Sequence, residues 1–145
     1  MTHPAFTTAP EFRIPEPRRT WYRWSFHVAS VYNVVWGTVV ILLPAWTLAL
    51  VGIETDAIGR LFWQCIGMFV GVYAIGYHAL ARQPERYAPL LWIALLGKIC
   101  GPIGFVYGAF YLGVLPKSLG WTIVTNDLLW WPIWFPFAIE TLRRR

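Results

Sequence analysis

The sequence predicts an all-α integral membrane protein, a four-helix up-down bundle with both termini in the cytoplasm. Three observations carry that prediction. Hydrophobic residues fill 57% of the 145 positions and charged residues only 13%, against about 25% charged in an ordinary soluble domain. A soluble domain of this size cannot hide so much apolar surface, so lipid must be the solvent for part of the chain. Four apolar runs are each long enough to cross a hydrocarbon layer of about 30 Å, which takes about 20 helical residues. Finally, the cations crowd the segments that would lie on one side of those crossings.

Residues 1–23 form a Pro-rich segment expected in the cytoplasm. Within it, Thr2 to Pro17 carries four prolines in sixteen residues, a composition that favours extended backbone without internal hydrogen bonds. This stretch is either a disordered tail or an arm laid against a partner. Residues 1–20 have neither a short apolar core nor a cleavage site, so the first apolar run is expected to be kept as a helix. The transmembrane domain occupies residues 24–139, with helices near 24–43, 60–80, 88–113 and 121–139. Pro44 should break or kink the chain after the first, leaving Ala45 to Ile53 along the interface. Pro102 should kink the third helix, and Pro132 and Pro136 the fourth. The carbonyls they free favour bends buried in protein rather than exposed to lipid. Residues 140–145 form a basic cytoplasmic tail. The connections are short, which forces neighbouring helices to run antiparallel. The length allows a single domain.

Orientation follows from the charges. Both termini and the second connection share one side, which carries Arg13, Arg18, Arg19, Arg23, Arg82, Arg86, Arg143, Arg144 and Arg145. The other side has only Arg60 and Lys117. Nine against two is a strong positive-inside bias. The net charge of +5 therefore reflects topology, and no fold or aromatic platform here suits nucleic acid.

Helices in lipid associate through close backbone approach. Gly97, Gly101, Gly104 and Gly108 repeat at intervals of 4, 3 and 4 on the third helix, and Gly67 and Gly71 form a Gly-x-x-x-Gly pair on the second. Both stripes are expected packing faces, within the bundle or toward another subunit. Trp130, Trp131 and Trp134 surround Pro132 and form either an interfacial aromatic belt or a wall for a flat ligand. Cys65 and Cys100 lie in apolar runs without metal-ligand spacing, and are expected as buried structural thiols.

An ionisable group at the bilayer centre costs roughly 2.5–3.5 kcal/mol, so it is normally paired and turned inward. Lys98 and Asp127 are such groups. Lys98 lies about 15 Å from the cytoplasmic start of the third helix and Asp127 about 9 Å from the far side on the fourth. A lysine stem can snorkel across the remaining gap. Gln64, Asn33 and Asn126 fall at similar depth and are expected to complete a buried polar cluster. That cluster either fixes helix register or forms a site for a ligand, proton or ion. His27 and His78 also lie at comparable depth. They are either interfacial histidines or ligands that hold a haem, pigment or quinone. Gln64, Gly71 and His78 are spaced by sevens and share a face with Gly67. Nothing builds a nucleophile–base–oxyanion arrangement, so serine or cysteine hydrolysis is not expected.

Three clusters, Trp63 to Tyr73, Gly97 to Phe105 and Thr125 to Trp131, carry a resemblance. From residue 25 to residue 139 the chain resembles a group of small bacterial four-helix membrane proteins of the DoxX-like type. The resemblance implies the fold and a bacterial membrane but no particular reaction. Related sequences sometimes carry an alkyl hydroperoxide reductase label. Peroxide reduction needs an accessible low-pKa thiolate, and the two cysteines sit in apolar surroundings.

The leading functional expectation is a non-enzymatic accessory or assembly subunit of a larger membrane complex, respiratory or photosynthetic. Small size, tiny loops, glycine stripes and aromatic surface support it. The expected partners are the lipid bilayer, other membrane subunits or a second copy docked through the glycine faces. The alternative is a binding or redox-associated module whose Lys98, Asp127, Gln64 and Asn126 line a pocket for a quinone, lipid or pigment. No cofactor is required by the sequence. A minimal proton transporter ranks third, because no inverted repeat is visible. Helical spans place the protein in the bacterial inner membrane, since outer-membrane spans are normally barrels.

Overall fold

A computed structural model describes residues 13–143, and every regular element among them is helical. Helix α1 (Glu16–Leu42) starts well before residue 24. Pro15 and Pro17 flank its first residue, where a preset φ helps and no amide N–H is needed. Arg18 and Arg19 in its first turns reach carboxylates on other elements, Glu140 at 2.6 Å and Glu85 at 2.9 Å. The extended reading of Thr2 to Pro17 thus ends at Pro15, and its residues 1–12 lie outside the described part.

Pro44 ends α1 as expected and opens a short helix, α2 (Pro44–Leu50). Thr47 Oγ1 on α2 accepts from Trp63 Nε1 at 2.8 Å, which ties this segment to the next long helix. The chain turns at Gly52, whose φ of +75° suits a residue without Cβ. Helix α3 (Ala57–Arg82) is capped by Asp56, which accepts from the Gly59 amide at 2.8 Å. After a tight turn, α4 (Ala88–Val106) runs into a wide π turn at Tyr107–Tyr111.

Helices α1, α3 and α4 with its π turn are long and apolar enough to cross a membrane. The fourth run departs from expectation. Instead of one helix over 121–139 it is α5 (Gly120–Asn126), a 3-10 turn at Leu128–Trp130 and α6 (Trp131–Arg143), broken at Asp127 with φ −117° and ψ −63°. Pro132 cannot donate to the Leu128 carbonyl, and Asn and Asp side chains compete with the helix for backbone groups. The bend therefore falls ahead of Pro132. Pro136 and Pro102 are carried within α6 and α4.

Helix α1 packs most extensively on α3. At the crossing a Cβ on Gly37 would sit 2.6 Å from the Gly67 carbonyl oxygen and 2.9 Å from the Gly71 amide nitrogen. Side chains bridge to carbonyls along the same seam: Arg23 to Ala81, Ser30 to Ala74, Asn33 to Val70 and Gln64 to Ile41, at 2.8–3.1 Å. Such bonds hold helices together where apolar contact gives little preference.

The core lies at the end where α1 begins and α6 finishes, built from Phe26, Leu80, Leu91, Leu95, Trp134 and Phe137. Trp134 is fully enclosed and Trp130 nearly so, which corrects the interfacial-belt expectation for these two. Their rings stack at 5.3 Å, and Trp134 also meets Tyr77 at 4.9 Å. Cys65 and Cys100 are exposed on the outer surface, not buried. The ion pairs to Glu85 and Glu140 gather the start of α1, the α3–α4 turn and α6 at one end. A bond from Ser118 Oγ to the Val51 carbonyl, 2.6 Å, gathers the connections at the other.

Candidate functional site

Lys98 on α4 and Asp127 at the break of the fourth run face each other inside the protein, 4% and 5% exposed. Lys98 Nζ stands 3.6 Å from Asp127 Oδ1. It also donates to the backbone carbonyl of Asn126. The break makes that acceptor available. In a continuous helix the Trp130 amide would take the Asn126 carbonyl, but here Trp130 bonds instead to the Asp127 carbonyl at 3.3 Å. The carbonyl left over sits at the C-terminal end of α5, where the partial charge is negative and a cation is favoured.

Two aromatic faces complete the enclosure of the ammonium. Trp134 lies 5.4 Å and Tyr77 5.8 Å from Lys98 Nζ, both within cation–π range. On the other side, Asn126 Nδ2 donates to Asp127 Oδ1 at 3.1 Å. Gly101 makes room for the second carboxylate oxygen: a Cβ there would lie 2.8 Å from Asp127 Oδ2. Gly101 follows Lys98 by three residues, so both share one face of α4.

Of the remaining residues predicted for this cluster, Asn33 reaches only its edge, where its side chain meets Tyr77, and Gln64 lies elsewhere. Asn33 and Gln64 serve the α1–α3 seam, donating to the Val70 and Ile41 carbonyls. Depth alone had grouped them with Lys98, and depth does not say which neighbour a helix face meets. Tyr77 and Trp134, absent from the predicted cluster, form two of its walls. Asn126 contributes its backbone as well as its side chain, which follows from the helix break. The signal for that break is Asn126-Asp127 placed five residues ahead of Pro132.

The glycines also divide. Gly67 and Gly71 form a close-packing face, with Gly37 of α1 as the partner that the sequence reading missed. The four glycines of α4 and its π turn are not one helix-packing stripe. Gly101 houses Asp127, and Gly108 receives the Leu115 side chain, which a Cβ would meet at 2.5 Å. Gly97 has only an ordinary contact with the Tyr73 hydroxyl, while Gly104 faces open space.

His27 and His78 meet edge to face with ring centroids 5.8 Å apart. The Arg23–Ala81 and Ser30–Ala74 bonds close the seam about one turn away on each side. That leaves no slot between the rings for a macrocycle, so this arrangement does not fit a haem or a comparably flat pigment held by both histidines.

None of the four principal cavities is lined by Lys98, Asp127 or Asn126. No protein-family profile, curated protein or solved structure matches this chain. Chemically, the arrangement is a closed ion pair whose ammonium is satisfied by a carboxylate, a carbonyl and two ring faces. Its immediate effect is to lock α4 against the broken fourth run.

Proposed function

We propose that this chain is a non-enzymatic multi-pass protein of the bacterial inner membrane, a four-helix up-down bundle with both termini cytoplasmic. It serves as an accessory or assembly subunit of a larger membrane complex, respiratory or photosynthetic. The single observation that carries this reading is the enclosure of Lys98 and Asp127 by the chain's own groups. Among the described residues this buried charge pair is used up internally, and the long apolar helices present apolar and aromatic side chains outward. Tyr111, Trp121, Ile75 and Phe62 are each more than 60% exposed. The exposed Gly97 and Gly104 backbone on α4 suits close approach by a second helix. The DoxX-like resemblance supports the same fold and membrane.

The second reading, a module for a quinone, lipid or pigment at the polar cluster, has one observation in its favour. A cavity of about 140 Å³ opens beside Tyr77 on the α3–α4 seam. Ligand sites usually measure about 300–1,000 Å³, so this one is too small for a quinone ring with its tail. Its size favours the first reading.

Native mass spectrometry of the tagged protein, extracted from its own membranes in mild detergent, tests the proposal. A defined larger assembly with fixed stoichiometry is expected. A free monomer or homodimer that carries one bound small molecule would sink the subunit reading and restore the second.

A further inference from the structure

We propose that the α1–α3 seam at the arginine-rich end binds the phosphate of an anionic phospholipid, with Arg23 as its principal ligand. The inference rests on the membrane reading above. A cavity of about 520 Å³ opens there, lined by Thr20, Arg23, Trp24 and His27. These positions are spaced by three and four along α1, so they share one face. Arg23 is fixed in place, because its Nε donates to the Ala81 carbonyl in the last turns of α3 at 2.9 Å. Its two terminal nitrogens make no hydrogen bond or ion pair among the described residues. A guanidinium held by one edge and open at the other is a pre-oriented fork for phosphate oxygens.

The surroundings strengthen the assignment. The His27 ring meets His78 of α3 across the seam, and Arg82 follows His78 by one turn on the same face. Arg82 is exposed and without a protein partner among the described residues. The acids described at this end do not compensate these cations: Glu140 is engaged by Arg18, and Glu16 and Glu85 by Arg19. Trp24, 64% exposed, supplies the amphipathic ring expected at headgroup level. A phosphate with apolar substance attached suits a basic fork beside a tryptophan better than a free ion does.

The test is native mass spectrometry of delipidated full-length protein, titrated separately with phosphatidylglycerol, phosphatidylcholine and inorganic phosphate. Wild type should retain one phosphatidylglycerol under activation that strips phosphatidylcholine, and inorganic phosphate should not compete. Arg23→Gln should weaken phosphatidylglycerol retention about ten- to a hundredfold, the range for a charged hydrogen bond. Because that variant also loses the bond to Ala81, Arg82→Gln provides an independent readout, with about a fivefold loss expected for one cation near a headgroup. Arg60→Gln at the opposite end should change nothing. Equal retention of the two lipids, or unchanged phosphatidylglycerol retention in Arg23→Gln and Arg82→Gln, would overturn the proposal. So would competition by inorganic phosphate at the lipid's own concentration, which would assign the site to a free anion. Carbonate washing of cell membranes tests the membrane reading separately: a protein released by the wash would sink that reading whatever the lipid result.

Discussion

Lys98 and Asp127 can stay charged in an apolar interior only while each satisfies the other. The Asn126 carbonyl and the Tyr77 and Trp134 faces supply the remainder. Breaking a buried pair from one side typically costs about 3–5 kcal/mol, because the surviving charge is left uncompensated. Asp127→Asn and Lys98→Met should each therefore destabilise the protein by that order. The double variant should lose clearly less than the sum, as read from unfolding in mixed detergent. Strict additivity would mean that the two side chains are not partners. The sequence made these two residues legible, since a charge in an apolar run needs a partner and only two such charges were at hand. It could not reveal Tyr77 and Trp134 as walls, because neither residue type is anomalous in a membrane helix. Nor could it exclude Gln64, whose depth matches but whose side chain bonds within the α1–α3 seam, or show that Asn33 meets the cluster only through Tyr77.

Among the elements, the α1–α3 pair was more legible than the fourth run. The heptad of Gln64, Gly71 and His78 with Gly67 marks the face of α3 that meets α1: Gln64 bonds to Ile41, Gly71 lies against Gly37, and His78 meets His27. Glycine spacing was less reliable on α4, because a small residue can accept a helix, a side chain or nothing at all. Substitution separates these cases. Gly37→Ala puts a Cβ 2.6 Å from the Gly67 carbonyl oxygen. Backbone there has no easy retreat, so a loss of about 1–3 kcal/mol is expected, in the range for overpacking. Gly104→Ala meets open space in the folded chain and replaces a poor helix former, so stability should hold or rise by up to about 1 kcal/mol. Thermal melts of the two variants in one detergent decide the matter, and equal destabilisation would contradict the asymmetric packing. The fourth run was misjudged because apolar content measures the length of a span and is blind to a break within it. The break itself follows from local chemistry at Asn126, Asp127 and Pro132.

At the scale of the whole molecule, charge and contact give the same division of ends. The ion pairs Arg18–Glu140 and Arg19–Glu85 bring the start of α1, the α3–α4 turn and the finish of α6 together. The Ser118–Val51 bond brings together the connections that carry Lys117 and precede Arg60. The nine arginines counted from the sequence belong to the first set of segments, and Arg60 and Lys117 to the second. A bias of that size in short connections orients a bundle with its basic end in the cytoplasm. Single cysteines placed in a background of Cys65→Ala and Cys100→Ala test this directly, since both native thiols are exposed and would otherwise react. In intact cells with a permeabilised outer membrane, a membrane-impermeant maleimide should label Lys117→Cys. It should leave Arg86→Cys, in the α3–α4 turn, untouched until the cells are lysed. The reverse pattern would invert the orientation and move the proposed phospholipid site to the outer leaflet. Labelling of both positions in intact cells would mean that the two ends do not lie on opposite sides of a membrane. The pattern expected here needs the broken fourth run to cross the bilayer as a unit. The Lys98–Asp127 pair makes that feasible, because it satisfies at the break the carbonyl and the carboxylate that lipid could not.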